Sequence, residues 1–433
     1  MDHKLSSKYE PTAMVLELER MGKKPVIKFN NIDDNEIPVV ANTIAGRERF
    51  ALAMGVDEED ISFEYAKRIT NRIEPKILDK APFMENNLSG EDIDLNRFPI
   101  LTHFPIDASP YITAGLVVTK DPKTGANTAG YHRMQLKGKD KLGISLHSRQ
   151  RLWEYFRRAE ENNQNLEAAV VLGVHPNISL GSMALVPYHL GKFEAMGGLF
   201  DEPMELTPCS TIDLEVPAWA EIVIEGEILA NEREPEGPFA EFTGYACHRS
   251  TENVFKVINI QYRNNPIYQC ITPGMCAEHN TIIAVQREGD LLNALNEKLP
   301  NIKNVHVPLS SCGLFHCYIA MKKTAEGQPL QAIFNAFAID HHIKLAVVVD
   351  EDVDVFNEEE VLWAICTRMQ ADQDTIITPQ NLGMGETLDP STDELSRTAK
   401  MGIDATMSLD DFSPRIKTDP EVLNKVKKII SDL

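Results

Sequence analysis

Apolar and polar positions alternate most clearly in the middle of the chain. Across 220–229, Ile222, Ile224 and Ile228 fall on one face of a strand, and Glu221, Glu225 and Glu227 fall on the other. Residues 114–119 form an apolar run, 166–172 a short buried strand, and 255–262 a further strand. Segments 131–136 and 142–147 flank Lys137-Gly138-Lys139-Asp140-Lys141, which predicts a hairpin. Pairing about that turn puts His147 close to Tyr131, so Asn127, Arg133 and His147 are expected on neighbouring strands. Leu152, Phe156 and Ala159 have helical spacing within 148–163, and Trp153 is expected to join the core. Many strands with few long helices between them predict an antiparallel, barrel-like domain.

The flanks read differently. In the first 100 residues, 12–19 and 47–54 look helical and 24–30 and 38–41 extended, followed by a charged, turn-rich stretch over 75–99. A supporting α/β lobe is expected there. A helix is expected over 282–298. Beyond it, segments 305–308, 314–321, 331–337, 345–349 and 358–370 alternate strand and helix. The run Leu345-Ala346-Val347-Val348-Val349 predicts a central strand covered on both faces. Val361, Leu362, Ile365 and Met369 make an apolar helix stripe, and the acidic stretches 350–354 and 358–360 suit a solvated edge and a helix start. The expected class is α+β, divided at 1–105, 106–303 and 304–433.

Composition narrows the function classes. A chain of 433 residues, 43% hydrophobic and 25% charged, suits a globular protein of two or three domains. No apolar run approaches a membrane span, and Met1-Asp2-His3-Lys4 does not begin a signal peptide, so the expectation is a cytoplasmic protein. The seven cysteines include no CxxC pair; Cys312 and Cys317, near His306 and His316, have spacing that fits no usual zinc pattern. Reduced thiols are the expectation. The net charge of −22 argues against nucleic acid as a partner, while local arginines can still bind a small anion.

Candidate chemistry concentrates in 233–245, where Glu236 and Glu241 stand five residues apart. A regular strand would put them on opposite faces. Gly237 and Pro238 break that regularity, so both carboxylates can converge on one pocket. Like-charge crowding then raises the pKa of one and makes a proton donor at neutral pH. Read locally, a surface turn with solvated glutamates accounts for the same residues.

Glu236-Gly237-Pro238-Phe239-Ala240-Glu241, followed by Phe242-Thr243-Gly244-Tyr245, resembles the signature of the UbiD-type decarboxylases, which use prenylated flavin mononucleotide (prenylated FMN). The resemblance extends over 127–404 and includes 127–135, Leu146-His147, 191–198, 344–356 and 401–406. It implies a split β-barrel that holds the flavin and a C-terminal α/β oligomerisation domain, hence a homo-oligomer, a dimer or higher. It implies Arg133, Glu236 and Glu241 as the catalytic Glu–Arg–Glu network; because a donor carboxyl must be protonated, Arg133 is expected to pair mainly with Glu236. Asn127, His147 and Glu194 match the residues that hold a divalent metal, manganese or magnesium, on the flavin phosphate. The family pattern commonly places Asn five residues before Arg; here Asn127 is six before Arg133 and Thr128 holds the fifth position, so either a one-residue insertion keeps Asn127 as the ligand or Thr128 takes its place with a hydroxyl or carbonyl oxygen. Leu146 and Lys344 match further cofactor-binding positions, and main-chain oxygens around Met183 and Ala184 match those that hold a potassium ion. Ile271, Thr272, His279 and Leu388 fall where substrate-lining residues are expected. The implied activity is reversible, non-oxidative decarboxylation of an aromatic, heteroaromatic or α,β-unsaturated carboxylic acid, with a flavin prenyltransferase as cofactor supplier. The alternatives are a phosphorylated unsaturated aliphatic acid as substrate, a subunit of a multi-component phenol-type carboxylase, and a flavin-holding protein without turnover.

Overall fold

A computed structural model describes residues 1–146, 150–385 and 388–431 of the chain. Its centre is a nine-stranded antiparallel sheet curled into a half-barrel. From neighbour to neighbour its strands are Tyr111–Ile112, Met134–Leu136, Lys141–Ile144, Ser250–Tyr262, Ile222–Glu236, Leu166–Leu172, Leu116–Lys120 and Asn127–Tyr131. Asn86–Ser89 adds to Ser250–Tyr262, so the sheet also draws on the charged stretch before residue 100.

The sheet's order explains its curl. Asn127–Tyr131 closes one end of the path, and Met134–Leu136 lies near the other. Only His132 and Arg133 separate them, and three residues of chain reach at most about 10 Å. The two ends must therefore approach each other. This corrects the sequence reading, in which 131–136 was one strand and Asn127, Arg133 and His147 sat on neighbouring strands. Arg133 instead occupies the break, and His147 lies outside the described residues.

The alternation over 220–229 is real but is half of a longer element. Ile222–Glu236 runs on past a register shift after Ile228, and Arg233–Glu236 pair with Ser250–Asn253. Ile222, Ile224 and Ile228 face the main core, together with Val170, Phe255 and Leu142. The opposite face packs Val223, Val171 and Val118 against Leu206, Leu214 and Phe193. Trp153 packs partly buried against the main core.

The Ala277–Asn296 helix leads from this sheet to a five-stranded sheet, ordered Ile302–His306, His316–Met321, Leu345–Asp350, Arg397–Ala405 and Thr375–Leu382. Leu345–Asp350 is its central strand. Ala346 and Val348 are buried in one apolar cluster and Val347 and Val349 in another, as the apolar run requires. In the Glu358–Arg368 helix Val361 is buried, Ile365 and the adjoining Met369 pack against the core, and Leu362 is exposed. Among the described residues no helix is long and apolar enough to cross a membrane.

Candidate active site

Glu236 ends the long strand, and Gly237 takes a φ of 79°, a left-handed conformation that favours glycine. A Cβ there would come within 3.1 Å of the His248 carbonyl oxygen. Past the turn, Asp107 Oδ1 accepts from the Ala240 amide at 3.0 Å, and the Glu241 amide donates to Tyr245 O at 2.8 Å. These contacts aim Glu241 back at the residue where the barrel's two ends meet.

That residue is Arg133. Its Nε donates to Glu236 Oε1 at 3.1 Å and its Nη2 to Glu236 Oε2 at 2.8 Å, while Nη1 donates to Glu241 Oε1. The guanidinium also lies over the Phe239 ring, 5.3 Å from its centroid. Burial alone would lower the Arg133 pKa, but the pairing with Glu236 outweighs it and leaves the pKa raised. Arg133 thus makes two of its three charge-assisted bonds to Glu236, and the third holds Glu241 as well. Both carboxylates are buried, which removes the reading of a solvated surface turn.

Arg133 and Glu241 line a cavity of about 520 Å³, within the range of small-molecule and cofactor sites. Thr128, Met183, Ile271, His279 and Leu388 share its wall. Thr272 does not: it is buried, and its amide donates to Glu278 Oε2 at 3.1 Å. Leu146 and Ala184 are buried beside the cavity rather than on it. Lys344 lies off the wall too, with Nζ donating to Asp389 at 2.8 Å and to Ser391 at 2.6 Å.

Asn127 and Glu194 come together across Gly191. A Cβ on Gly191 would meet Asn127 Nδ2 and Glu194 Oε2 each at 2.5 Å. Asn127 Oδ1 accepts from the amides of Lys192, at 2.8 Å, and Phe193, at 3.1 Å. Glu194 Oε2 is buried without a hydrogen bond, and Arg72 Nη2 stands 3.3 Å away. The Glu194 oxygen suits a hard divalent ion, whereas Asn127 turns its Nδ2 toward Glu194 and spends its Oδ1 on two main-chain amides.

Several cavity residues carried no signal in the sequence reading. Ile282, Ile283, Gln286, Arg287, Asp290 and Leu291 recur at helical spacing along Ala277–Asn296 and form one wall with His279, which the sequence reading had placed there. With the helix expected to start at 282, His279 fell outside that pattern. Its Nδ1 is buried without a partner, and burial lowers its pKa to about 4, so the imidazole is neutral and keeps one polar atom unspent. Burial raises Asp290 to about 6 and lowers Lys192 to about 7. His132, lowered to about 4 by burial, bonds Ser145 O at 3.0 Å.

Comparison with known proteins decides the family. Models of the three domains described as 3-octaprenyl-4-hydroxybenzoate carboxy-lyase match residues 1–69 (N-terminal), 76–276 (Rift-related) and 280–405 (C-terminal). The chain belongs to the UbiD family. UbiD enzymes are carboxy-lyases, and the chain is a decarboxylase of that class. It is 31% identical over 409 residues to anhydromevalonate phosphate decarboxylase of Methanothermobacter thermautotrophicus, covering 94% of each chain. It is 33% identical over 402 residues to phenolic acid decarboxylase of Bacillus subtilis, covering 89% of this chain and 84% of that one. The UbiD-class enzyme HmfF from Pelotomaculum thermopropionicum, solved with FMN, superposes with a TM-score of 0.93 at 35% identity, over 99% of this chain and 96% of that one. An evolved dimeric form of HmfF with prenylated FMN superposes at 0.88 and 33% identity, over 98% and 95%. The UbiD resemblance and the flavin-holding barrel expected from the sequence both stand.

Proposed function

We propose that the protein is a prenylated-FMN-dependent, non-oxidative decarboxylase of an aromatic, heteroaromatic or α,β-unsaturated carboxylic acid. The observation that carries this is the Arg133 guanidinium, shared by Glu236 and Glu241 on the wall of the cavity. Loss of carbon dioxide from an sp² carbon leaves a poorly stabilised carbanion. The modified flavin, when bound, supplies the electron sink that no side chain offers.

The chain's own residues have the remaining roles. Thr128 and Met183 on the cavity wall, with Leu146, Ala184 and Lys344 behind it, would hold the cofactor. Asn127, Glu194 and, by its sequence motif, His147 would hold manganese or magnesium. Of the first two, Glu194 has the open lone pair. Ile271, His279 and Leu388 would contact the substrate.

Arg133 Nη1 holds Glu241 in a charge-assisted hydrogen bond. A substrate carboxylate that competes for Nη1 would release Glu241 into a buried pocket beside Glu236, where taking up a proton is favourable. Glu241 then delivers that proton to the carbon that has lost carbon dioxide. Glu236 stays on Nε and Nη2 and keeps Arg133 in position. High bicarbonate favours the reverse carboxylation by mass action.

A second reading of the substrate, a phosphorylated unsaturated aliphatic acid, has support in the likeness to the Methanothermobacter enzyme and in Arg287 on the cavity wall. Likeness to a dimeric relative supports a homo-oligomer. The test is production with and without a flavin prenyltransferase. Only the first preparation should carry a modified-flavin absorbance and decarboxylate members of a panel of unsaturated acids, aromatic and phosphorylated aliphatic alike. Identical spectra and equal inactivity would end the cofactor reading.

A further inference from the structure

Two cations on the cavity wall have no carboxylate partner among the described residues. Arg151 donates to the main-chain oxygens of Leu190 at 2.8 Å, Val186 at 2.6 Å, and Pro187. Lys192 Nζ donates to Ala129 O at 3.2 Å and to Ser182 O. Lys192 is only 8% exposed. An ammonium buried without a counter-charge costs several kcal/mol in general, so such a group points to a negative charge supplied from outside the chain.

The oxygens around Lys192 Nζ come from places where the fold leaves carbonyls spare. Ser182 is the last residue of the Pro176–Ser182 helix, whose final carbonyls have no intrahelical donor. Ala129 lies on Asn127–Tyr131, an edge strand of the half-barrel. A bare monovalent cation would be drawn to the same oxygens. Nζ has three donors and spends two of them here, which leaves one for a ligand oxygen. Thr128, Ser182, Met183 and Lys192 line the same cavity as Arg133. The Lys192 amide is bonded to Asn127, and Glu194 follows two residues later, so Lys192 shares a segment with the pair expected to hold a metal on the flavin phosphate.

We propose that the Lys192 ammonium, held by the oxygens of Ala129 and of Ser182 next to the Met183 and Ala184 positions that the sequence reading gave to potassium, is a resident monovalent cation of the flavin site, and that with Arg151 it counters the phosphate of the bound flavin mononucleotide. This rests on the flavin reading above. Two unit positive charges within about 4 Å repel by roughly 4 kcal/mol at an intermediate dielectric. Lys192 and a potassium ion therefore exclude each other from these oxygens. A lysine at this position makes flavin binding independent of potassium.

The test measures binding of FMN and of riboflavin, which lacks the phosphate, in potassium and in tetramethylammonium buffers. The wild type is expected to bind FMN equally in both. Lys192→Met should weaken FMN at least about tenfold in tetramethylammonium, the loss expected for one charge-assisted bond. Potassium or ammonium should restore part of that loss, and riboflavin affinity should not change. Lys192→Arg, which keeps the charge, should stay independent of potassium and guards against loss of fold in Lys192→Met. A wild type whose FMN affinity rises tenfold on adding potassium, or a Lys192→Met protein that binds FMN as the wild type does, overturns the proposal. If the wild type binds neither flavin, the flavin reading itself has failed, and inorganic phosphate then decides the role of Lys192. Phosphate should raise the unfolding temperature of the wild type and of Lys192→Arg but not that of Lys192→Met; an equal shift in all three, or none in the wild type, overturns it.

Discussion

Arg133 holds Glu236 through two parallel hydrogen bonds, Nε to Oε1 at 3.1 Å and Nη2 to Oε2 at 2.8 Å, with the Glu236 side chain wholly buried. Such a fork fixes the guanidinium in plane and leaves Nη1 as its free prong. That prong meets Glu241, so Glu236 sets where the reactive end of the arginine points.

Removing Glu236 should therefore cost both stability and geometry. Glu236→Ala leaves a nearly buried guanidinium with one carboxylate instead of two, and breaking a buried pair typically costs about 3 kcal/mol. Replacing Arg133 and Glu236 by leucine together with Glu241→Gln should cost less than Glu236→Ala alone, since no unpaired charge then remains around the fork. Denaturant unfolding of the three proteins checks the order. A Glu236→Ala protein as stable as the wild type would mean that the fork contributes nothing to the fold.

The metal assignment turns on Gly191. Alanine there puts a Cβ 2.5 Å from both Asn127 Nδ2 and Glu194 Oε2, and these are side-chain ends that can move aside. Gly191→Ala should thus fold normally yet separate the pair and lower bound manganese, read by elemental analysis of the purified protein. His147→Ala should lower manganese too. Wild-type metal content in Gly191→Ala would show that the two side chains do not share an ion.

The sequence revealed this site unevenly, for physical reasons. Strand 166–172 and helix 47–54 form over the residues expected, the strand because it is a nearly continuous apolar run. Strand Arg397–Ala405 went unread because its buried positions include Thr398, Lys400 and Gly402, which carry no apolar signal. Lys400 is buried by bonding the His341 carbonyl at 3.0 Å. Lys192 is a similar case: a lysine in a glycine-flanked segment looks solvated until the fold brings Ala129 and Ser182 to it. The Glu236–Glu241 convergence was readable because Gly237 and Pro238 interrupt the strand period locally. The placement of Arg133 was not, because it follows from the barrel's two ends meeting, which no local pattern encodes.

Asp290 gives a pH prediction. Burial raises its folded pKa to about 6, from an ordinary value of 3.8. The folded state then holds this proton more tightly than the unfolded state, so the group's cost to stability is absent below about pH 4, grows as pH rises to about 6, and is constant above. Asp290→Asn removes that cost and keeps an oxygen for Gln286, which donates to Asp290 Oδ2. The variant should gain stability over the wild type across that window, by on the order of 2 kcal/mol, less than the full ~3 kcal/mol of the shift because the carboxyl is only partly buried. Unfolding curves at several pH values measure the difference. A gap that does not change between pH 4 and 7 would mean that Asp290 titrates normally.

In the proposed mechanism Glu241 bears the proton-transfer step. It is buried, it faces the cavity, and its contact to Arg133 is the one a substrate carboxylate can take over. Glu241→Gln keeps the shape and still accepts from Nη1 through its amide oxygen, so cofactor and metal should be retained in full. The amide cannot donate a proton to carbon. Turnover should fall by at least about 10²-fold, the lower range for loss of a general acid. Exchange of the product's reacting hydrogen with deuterated water needs the same proton to move in both directions, and it should fall in parallel. The parallel matters, because a variant that merely loosened substrate binding would raise KM and leave exchange at saturation intact. Full cofactor loading with near wild-type rates of both reactions would remove Glu241 from the mechanism, and Glu236, held on the other prongs of the same arginine, would be the next candidate.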